Sequence, residues 1–96
     1  MTQFDLKINW EKYHKEAGEL YEAGEYEGAR ELLETANRNY PDNSDIEWSL
    51  GFVYSLVGEE EKGRELMQRA VNRAFGGNGP KVYTNLVELL DDFNKK

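Results

Sequence analysis

The sequence contains no cysteine and a single histidine, His14. Without cysteine the chain can form neither disulfides nor thiolate metal sites. One histidine cannot supply a histidine metal site or a catalytic dyad. The acidic runs at residues 59–61 and 91–92 are explained more simply as solvated or helix-terminal charges than as general acids. We therefore expect no catalytic residue, no metal and no cofactor, and predict that the protein is not an enzyme.

Long apolar runs are also missing. The longest uninterrupted runs have two or three residues, whereas a membrane-spanning helix needs roughly 20. The first nine residues show no basic region followed by an apolar core, which a secretory signal would require. These absences predict a single small domain in the cytoplasm with no membrane partner.

Positive charge is scarce. The chain has 12 Lys and Arg residues against 19 Asp and Glu residues, and its formal net charge is −7. An acidic chain repels phosphate backbones, and no cluster of basic residues offsets this, so we predict no nucleic-acid partner. The charge favours a partner that is basic or apolar.

What the sequence does contain is a repeated helix. Residues 24–41 read GEYEGARELLETANRNYP, with apolar residues at spacings of three and four between a glycine and a proline, which predicts a helix of about four turns. The pattern returns 34 positions later, where residues 58–74 read GEEEKGRELMQRAVNRA. A fixed period of this length indicates a stack of repeated units. The identical pairs are Gly24 and Gly58, Glu25 and Glu59, Glu27 and Glu61, Arg30 and Arg64, Glu31 and Glu65, Leu32 and Leu66, and Ala36 and Ala70.

Similar patterns predict about five helices. The first begins between residues 3 and 10 and ends at Ala23, before a left-handed Gly24; the alternation of apolar residues over residues 4–8 would by itself suggest a strand. Pro80 is predicted at the first position of the last helix. The remaining predicted ranges are approximately 26–39, 45–57, 60–75 and 80–93.

Small residues recur where these helices are expected to touch. Helices approach to about 8–10 Å only where side chains are small. We expect Ala17 to face Ala29, and Gly51 to face Gly63, within each pair of helices. A glycine inside a helix costs roughly 1 kcal/mol relative to alanine, and close packing would offset that cost.

This combination resembles the tetratricopeptide repeat, a helix–turn–helix unit of 34 residues. The resemblance implies an all-α fold, a right-handed stack of antiparallel helix hairpins. Residues 10–43 and 44–77 would form two repeats, after an N-terminal arm or helix extension at residues 1–9 and before a loop and capping helix at residues 78–96. The second repeat departs from the pattern at Glu60 and Phe75. The matching residues of the first repeat are Tyr13, Ala17, Leu20, Gly24, Tyr26, Ala29, Ala36 and Pro41, and those of the second are Leu50, Gly51, Tyr54, Gly58, Gly63 and Ala70.

The resemblance also implies a function, a non-enzymatic protein–protein interaction module. Such repeats bind short peptides or amphipathic helices in a concave groove lined by the first helix of each repeat. A variant of this groove clamps the carboxylate of a C-terminal tail, but Lys81 alone keeps the residue type expected at its five clamp positions, so we do not expect that clamp. The other four positions carry His14, Gly18, Ser49 and Asn85. The predicted groove residues are Trp48, Phe52, Tyr21, His14, Ser49, Lys81 and Asn85.

Trp48 and Phe52 are singled out by their own spacing. They lie four residues apart on one helical face, away from the apolar stripe that begins at Ile46. Exposed aromatic residues of this kind are favoured interface anchors. The alternative is that neighbouring helices partly bury them.

The last predicted helix carries two apolar stripes. One stripe, with Val82, Leu86, Leu89 and Phe93, should cover the preceding repeat. The other lies where the next helix of a third repeat would pack, and it could be covered by a second copy of the chain, a partner's helix or the N-terminal arm. This gives an alternative function, a self-associating or engineered helical scaffold that forms a homodimer through its last helix. The residues of that possible oligomer face are Tyr83, Val87 and Leu90.

Overall fold

The computed structural model describes the backbone of residues 3–95 and the side chains of residues 10–95. The described chain is all-α, as predicted. It forms five helices: α1 (Gln3–Glu22), α2 (Tyr26–Asn39), α3 (Ser44–Leu56), α4 (Glu60–Ala74) and α5 (Leu86–Asn94). The first four begin and end within about a residue of the predicted bounds, and α1 takes the helical alternative rather than the strand.

The turns after α1 and α3 have the same geometry. Gly24 and Gly58 adopt φ angles of +81° and +95°, in the left-handed region that glycine enters without steric cost. In each turn the residue after the glycine donates its backbone N–H to a carbonyl five residues earlier: Glu25 to Leu20 at 2.8 Å and Glu59 to Tyr54 at 2.9 Å. The 34-residue period therefore reproduces the turn hydrogen bonds as well as the residue types.

The first four helices each pack against the next one along the chain, and α3 lies at the centre of the stack. It contacts α2 and α4 along its length and also touches α1. Burial of apolar surface on both sides of α3 is the main source of stability in such a stack. The molecule measures 53 × 32 × 16 Å. Its core cluster consists of Ala17, Ala29, Leu33, Ala36, Ile46, Leu50, Val53 and Tyr54.

The predicted glycine contact between α3 and α4 is confirmed. A Cβ atom added at Gly51 would lie 2.6 Å from the carbonyl oxygen of Gly63 and 2.7 Å from Cγ of Met67. A Cβ at Gly63 would collide in the same way with the Gly51 carbonyl. Only glycine at both positions allows the two backbones to come this close, which accounts for glycine within both helices.

Polar contacts reinforce the stack at two places. Between α2 and α3, the Tyr54 hydroxyl donates to the Glu34 carboxylate, which also accepts from Arg30 at 3.2 Å. Burial, followed by this hydrogen bond, raises the pKa of Tyr54 to about 12. Between α3 and α4, the Glu47 carboxylate is only 2% exposed and forms ion pairs with Arg69 and Arg73. The burial of Glu47 was not predicted, because nothing in its spacing along the sequence distinguishes it from exposed acidic residues.

The prediction that the last helix begins at Pro80 is wrong. α5 begins at Leu86, and the segment before it is non-helical. The Gln68 side chain holds that segment against α4: its amide nitrogen donates to the Pro80 carbonyl at 3.0 Å and its oxygen accepts from the Val82 N–H at 2.9 Å. Asn85 then caps α5, since its side-chain oxygen accepts from the Glu88 N–H at 2.7 Å.

Because α5 begins at Leu86 and not at Pro80, two predictions about side chains of the last helix are wrong. Val82 is buried against the preceding repeat, but Leu86 and Phe93 are 67% and 71% exposed, so the expected covering stripe does not form. Tyr83 lies before α5 rather than on its face with Val87, and its hydroxyl donates to Asp92. Polar links of this kind, including one between Arg64 and Glu88, connect α5 to the rest of the structure.

Candidate peptide-binding groove

A cleft opens between α1 and α3, with a volume of about 140 Å³. Three buried residues from three helices, Ala17, Leu33 and Val53, form its floor. We call this cleft the groove. Its remaining lining residues are His14, Gly18 and Tyr21 from α1 and Trp48, Ser49 and Phe52 from α3.

Helical spacing explains why these residues meet. His14, Ala17, Gly18 and Tyr21 recur at intervals that return to one face of α1, and positions 48, 49, 52 and 53 do the same on α3. The Gly24 turn reverses the chain, so α2 passes behind the groove and contributes only Leu33. The faces of α1 and α3 that α2 does not cover are therefore left side by side.

The rim of the groove is aromatic. Trp48 and Phe52 are 40% and 38% exposed, so each is partly buried and partly open to solvent. Phe52 packs edge-on against Tyr21, with ring centroids 5.4 Å apart and an interplanar angle of 63°. Tyr21 also contacts Tyr26, with centroids 5.9 Å apart. Phe52 is therefore held by Tyr21 while part of its surface stays available to a ligand.

The groove lining carries no formal charge when His14 is neutral. The His14 ring lies at the exposed end of the groove, with its centroid 6.5 Å from that of Trp10. Ser49 and the His14 and Tyr21 side chains are the polar groups present. Such a site can bury apolar side chains and orient them with a few hydrogen bonds, but it presents no nucleophile paired with a base.

The family model of the tetratricopeptide repeat matches residues 20–90 of the chain. The chain belongs to the tetratricopeptide repeat family. No curated protein and no solved structure matches it. Repeats of this family mediate protein–protein interactions, and the family is a non-enzymatic interaction module.

The structure brings five of the seven predicted groove residues of this tetratricopeptide protein together. His14, Tyr21, Trp48, Ser49 and Phe52 all line the groove. The other two lie elsewhere. Lys81 Nζ is 3.0 Å from Asp92 Oδ1, and Asn85 caps α5. Both were placed in the groove on the expectation of a helix from Pro80, which does not form.

The floor of the groove was not predicted as part of the site. Leu33 belongs to the core stripe of α2, a helix that sequence reasoning treats as scaffold alone. Gly18, which the resemblance places in the groove by its position in the repeat, lines it beside Tyr21.

Among residues 10–95, no three His, Asp or Glu residues are grouped so that they could hold a metal ion. None of the five described helices is long and apolar enough to cross a membrane.

Proposed function

We propose that this tetratricopeptide protein binds a short peptide or an amphipathic helix of a partner protein in the groove between α1 and α3. The observation that carries the proposal is the half-exposed aromatic pair Trp48 and Phe52 above a buried apolar floor. Aromatic residues that are rigidly held but still accessible supply much of the binding energy in protein interfaces. An extended peptide or a single helix is narrow enough for such a groove.

The chemistry of the groove favours an apolar ligand segment, and the charge of the chain favours a basic one. The lining presents aromatic and aliphatic surface, and the whole chain carries a net charge of −7. Long-range attraction would steer a basic segment toward the protein, and apolar contacts would hold it. The lack of cysteine is compatible with the cytoplasmic location that the sequence predicts.

Peptide selection from a random displayed library tests the proposal. Peptides enriched on the wild type should bind the double variant Trp48→Ala/Phe52→Ala at least about tenfold more weakly, since removal of two interface anchors typically costs more than 1 kcal/mol each. The matched control is Phe75→Ala/Phe93→Ala, which removes two exposed aromatic residues outside the groove. Helical circular dichroism should be the same for all three proteins.

Equal binding by the wild type and the groove variant would contradict the proposal. So would an equal loss in the control variant, because that would place the binding surface outside the groove.

We propose a second candidate, self-association through α5, on a separate observation. Four apolar side chains of this nine-residue helix are between 52% and 77% exposed. Two copies of the chain could bury these faces against each other around a two-fold axis. The same face would serve as an assembly surface in a natural or an engineered scaffold. The four residues are Leu86, Val87, Leu90 and Phe93.

Sedimentation at several concentrations tests this candidate. The wild type should show a concentration-dependent dimer that Val87→Lys and Leu90→Lys abolish. Ala74→Lys, which adds the same charge at an exposed position of α4, should leave the dimer intact. A wild type that sediments as a monomer at all concentrations would exclude the dimer.

A further inference from the structure

Gly18 is a glycine inside a helix for which the fold provides no packing reason. It lies in α1 between Ala17 and Glu19, one turn before the helix ends at Glu22. A Cβ atom added at Gly18 would meet no atom within 4 Å outside its own helix and chain neighbours. Gly51 differs, because a Cβ there would strike the backbone of α4. Glycine weakens a helix interior, so its presence without a packing constraint indicates another role.

The space beside Gly18 is the groove itself. Gly18 lines the groove between Tyr21 on its own helix and Trp48 and Phe52 on α3. Any side chain at this position would point into the volume that a ligand would occupy. The glycine therefore deepens the groove at its aromatic end.

The size and lining of this space define the group that would fill it. The groove volume of about 140 Å³ is close to that of engineered apolar cavities of about 150 Å³ that admit a benzene molecule. The surrounding side chains are aromatic or aliphatic apart from Ser49 and His14. A phenyl ring matches both properties, and it can pack edge-on or offset against Tyr21, Trp48 and Phe52.

Charges at the ends of the groove define the flanking residues of the ligand. Glu11 precedes His14 by three positions, Glu22 follows Gly18 by four, and Asp45 precedes Trp48 by three. These spacings put three exposed carboxylates on the helical faces that line the groove. Lys15, three positions before Gly18, is the one basic residue of α1 that lies three or four positions from a residue lining the groove. The excess of negative charge favours basic residues on either side of the buried ring.

We infer that the groove holds a phenylalanine-like side chain of a basic peptide segment, and that Gly18 is the position that admits the ring. This inference rests on the proposed function and specifies the ligand of the same site. The occupant is a protein segment with one aromatic anchor flanked by lysine or arginine.

Three synthetic pentapeptides with blocked ends test the inference directly. KKFKK carries the proposed anchor and charge, KKAKK lacks the ring, and EEFEE reverses the charge. Nuclear magnetic resonance titration of the full chain follows the Gly18 amide and the Trp48 indole N–H. KKFKK should shift both signals saturably, and KKAKK and EEFEE should bind at least about tenfold more weakly. Added salt should weaken KKFKK binding.

The variants Gly18→Ala and Gly28→Ala separate the groove from the general effect of replacing a helical glycine. A Cβ at Gly28 would make only an ordinary contact with Leu20, at 3.7 Å, and Gly28 lies outside the groove. Gly18→Ala should raise the melting temperature by about 2–6 °C and weaken KKFKK about tenfold. Gly28→Ala should not weaken KKFKK.

The outcomes distinguish this inference from the proposed function. If Trp48→Ala weakens KKFKK but Gly18→Ala does not, the groove binds peptides and the assignment of Gly18 is wrong. If EEFEE binds as well as KKFKK, the basic ligand is excluded. If KKFKK shifts neither the Gly18 amide nor the Trp48 indole signal, the inference is overturned. The proposed function is overturned by a different result, in which library-selected peptides bind Trp48→Ala/Phe52→Ala as tightly as the wild type.

Discussion

The four stacked helices α1–α4 and the C-terminal segment of residues 79–95 are held in place by different kinds of contact. Buried apolar side chains and small residues hold the stack, with Gly51 and Gly63 allowing the closest approach. The C-terminal segment buries only Val82. Hydrogen bonds with Gln68 and an ion pair with Arg64 hold it to α4, and the ion pair between Lys81 and Asp92 lies within the segment.

This difference shows what each kind of contact can accomplish. Apolar burial is proportional to area and is lost only when the helices separate, so the stack behaves as one unit. Single hydrogen bonds contribute about 1 kcal/mol each, but they are directional and can specify a non-helical path. The segment therefore has a defined path next to α4 while α5 keeps an exposed apolar face.

The largest effect is expected from a substitution in the stack. Gly51→Ala should reduce the free energy of unfolding by about 3 kcal/mol, because its Cβ would lie 2.6 Å from the Gly63 carbonyl oxygen and the two backbones would have to separate. Urea denaturation measures the loss. Gly28→Ala is the matched control, since its Cβ would have ordinary contacts. Similar stability of Gly51→Ala and the wild type would show that the α3–α4 contact is looser than described.

A smaller loss is expected from the buried carboxylate of the stack. Glu47→Ala should cost about 2 kcal/mol, because it removes a 2%-exposed side chain and its ion pairs with Arg69 and Arg73. The value lies below the usual range for a broken buried pair because both arginines can reach solvent. Glu65→Ala, at an exposed position of α4, is the control for denaturation. Equal stability of the two variants would contradict the prediction.

In the C-terminal segment, Gln68→Ala should cost about 1 kcal/mol and act locally. It removes the bonds to the Pro80 carbonyl and the Val82 N–H without opening the core of the stack. Hydrogen exchange should be faster at the Val82 amide and unchanged at core amides of α3 such as Val53. Faster exchange at both sites would mean that the segment and the stack unfold together.

Acid should weaken both regions, but with different consequences. The Tyr54 hydrogen bond, followed by the charge of Arg30, lowers the pKa of Glu34 despite partial burial. Burial tends to raise the pKa of Glu88, but the hydrogen bond and charge of Arg64 outweigh it, so that pKa is lowered as well. A carboxyl whose pKa is lowered by folding stabilises the fold above its unfolded pKa of about 4.3, and this contribution is lost as pH falls through the folded pKa.

Denaturation and exchange at neutral and acidic pH check this difference. The Tyr54→Phe variant should be less stable than the wild type by about 1 kcal/mol at pH 7, and the gap should narrow in acid as Glu34 is protonated. By contrast, Arg64→Ala should change the amide exchange of α5 and leave the stability of the stack unchanged. A gap between Tyr54→Phe and the wild type that stays constant with pH would exclude the role of the ionised Glu34.

Much of the stack follows from the residue pattern. The 34-residue period, the left-handed glycines and the helix ends were predictable because each depends on residues close together in the chain. The Gly51–Gly63 contact was predictable because a repeat brings equivalent helices together in the same way each time. In the groove, spacing alone put Trp48 and Phe52 on one face of α3.

The remaining features depend on contacts between residues that the period does not relate. The start of α5 was mispredicted because Gln68, more than ten positions away, competes for the backbone of residues 80–82. Because the helix does not begin at Pro80, Lys81 and Asn85 do not line the groove. The burial of Glu47 follows from two arginines on another helix.

By itself, the sequence determined the first four helices, the repeat and the family, because local propensity and a fixed period specify which faces are apolar and where the chain turns. Only the tertiary structure decided the path of residues 79–85, the exposure of α5 and the open space beside Gly18. Those three depend on which distant groups come within hydrogen-bonding or packing distance, and no local pattern records such distances.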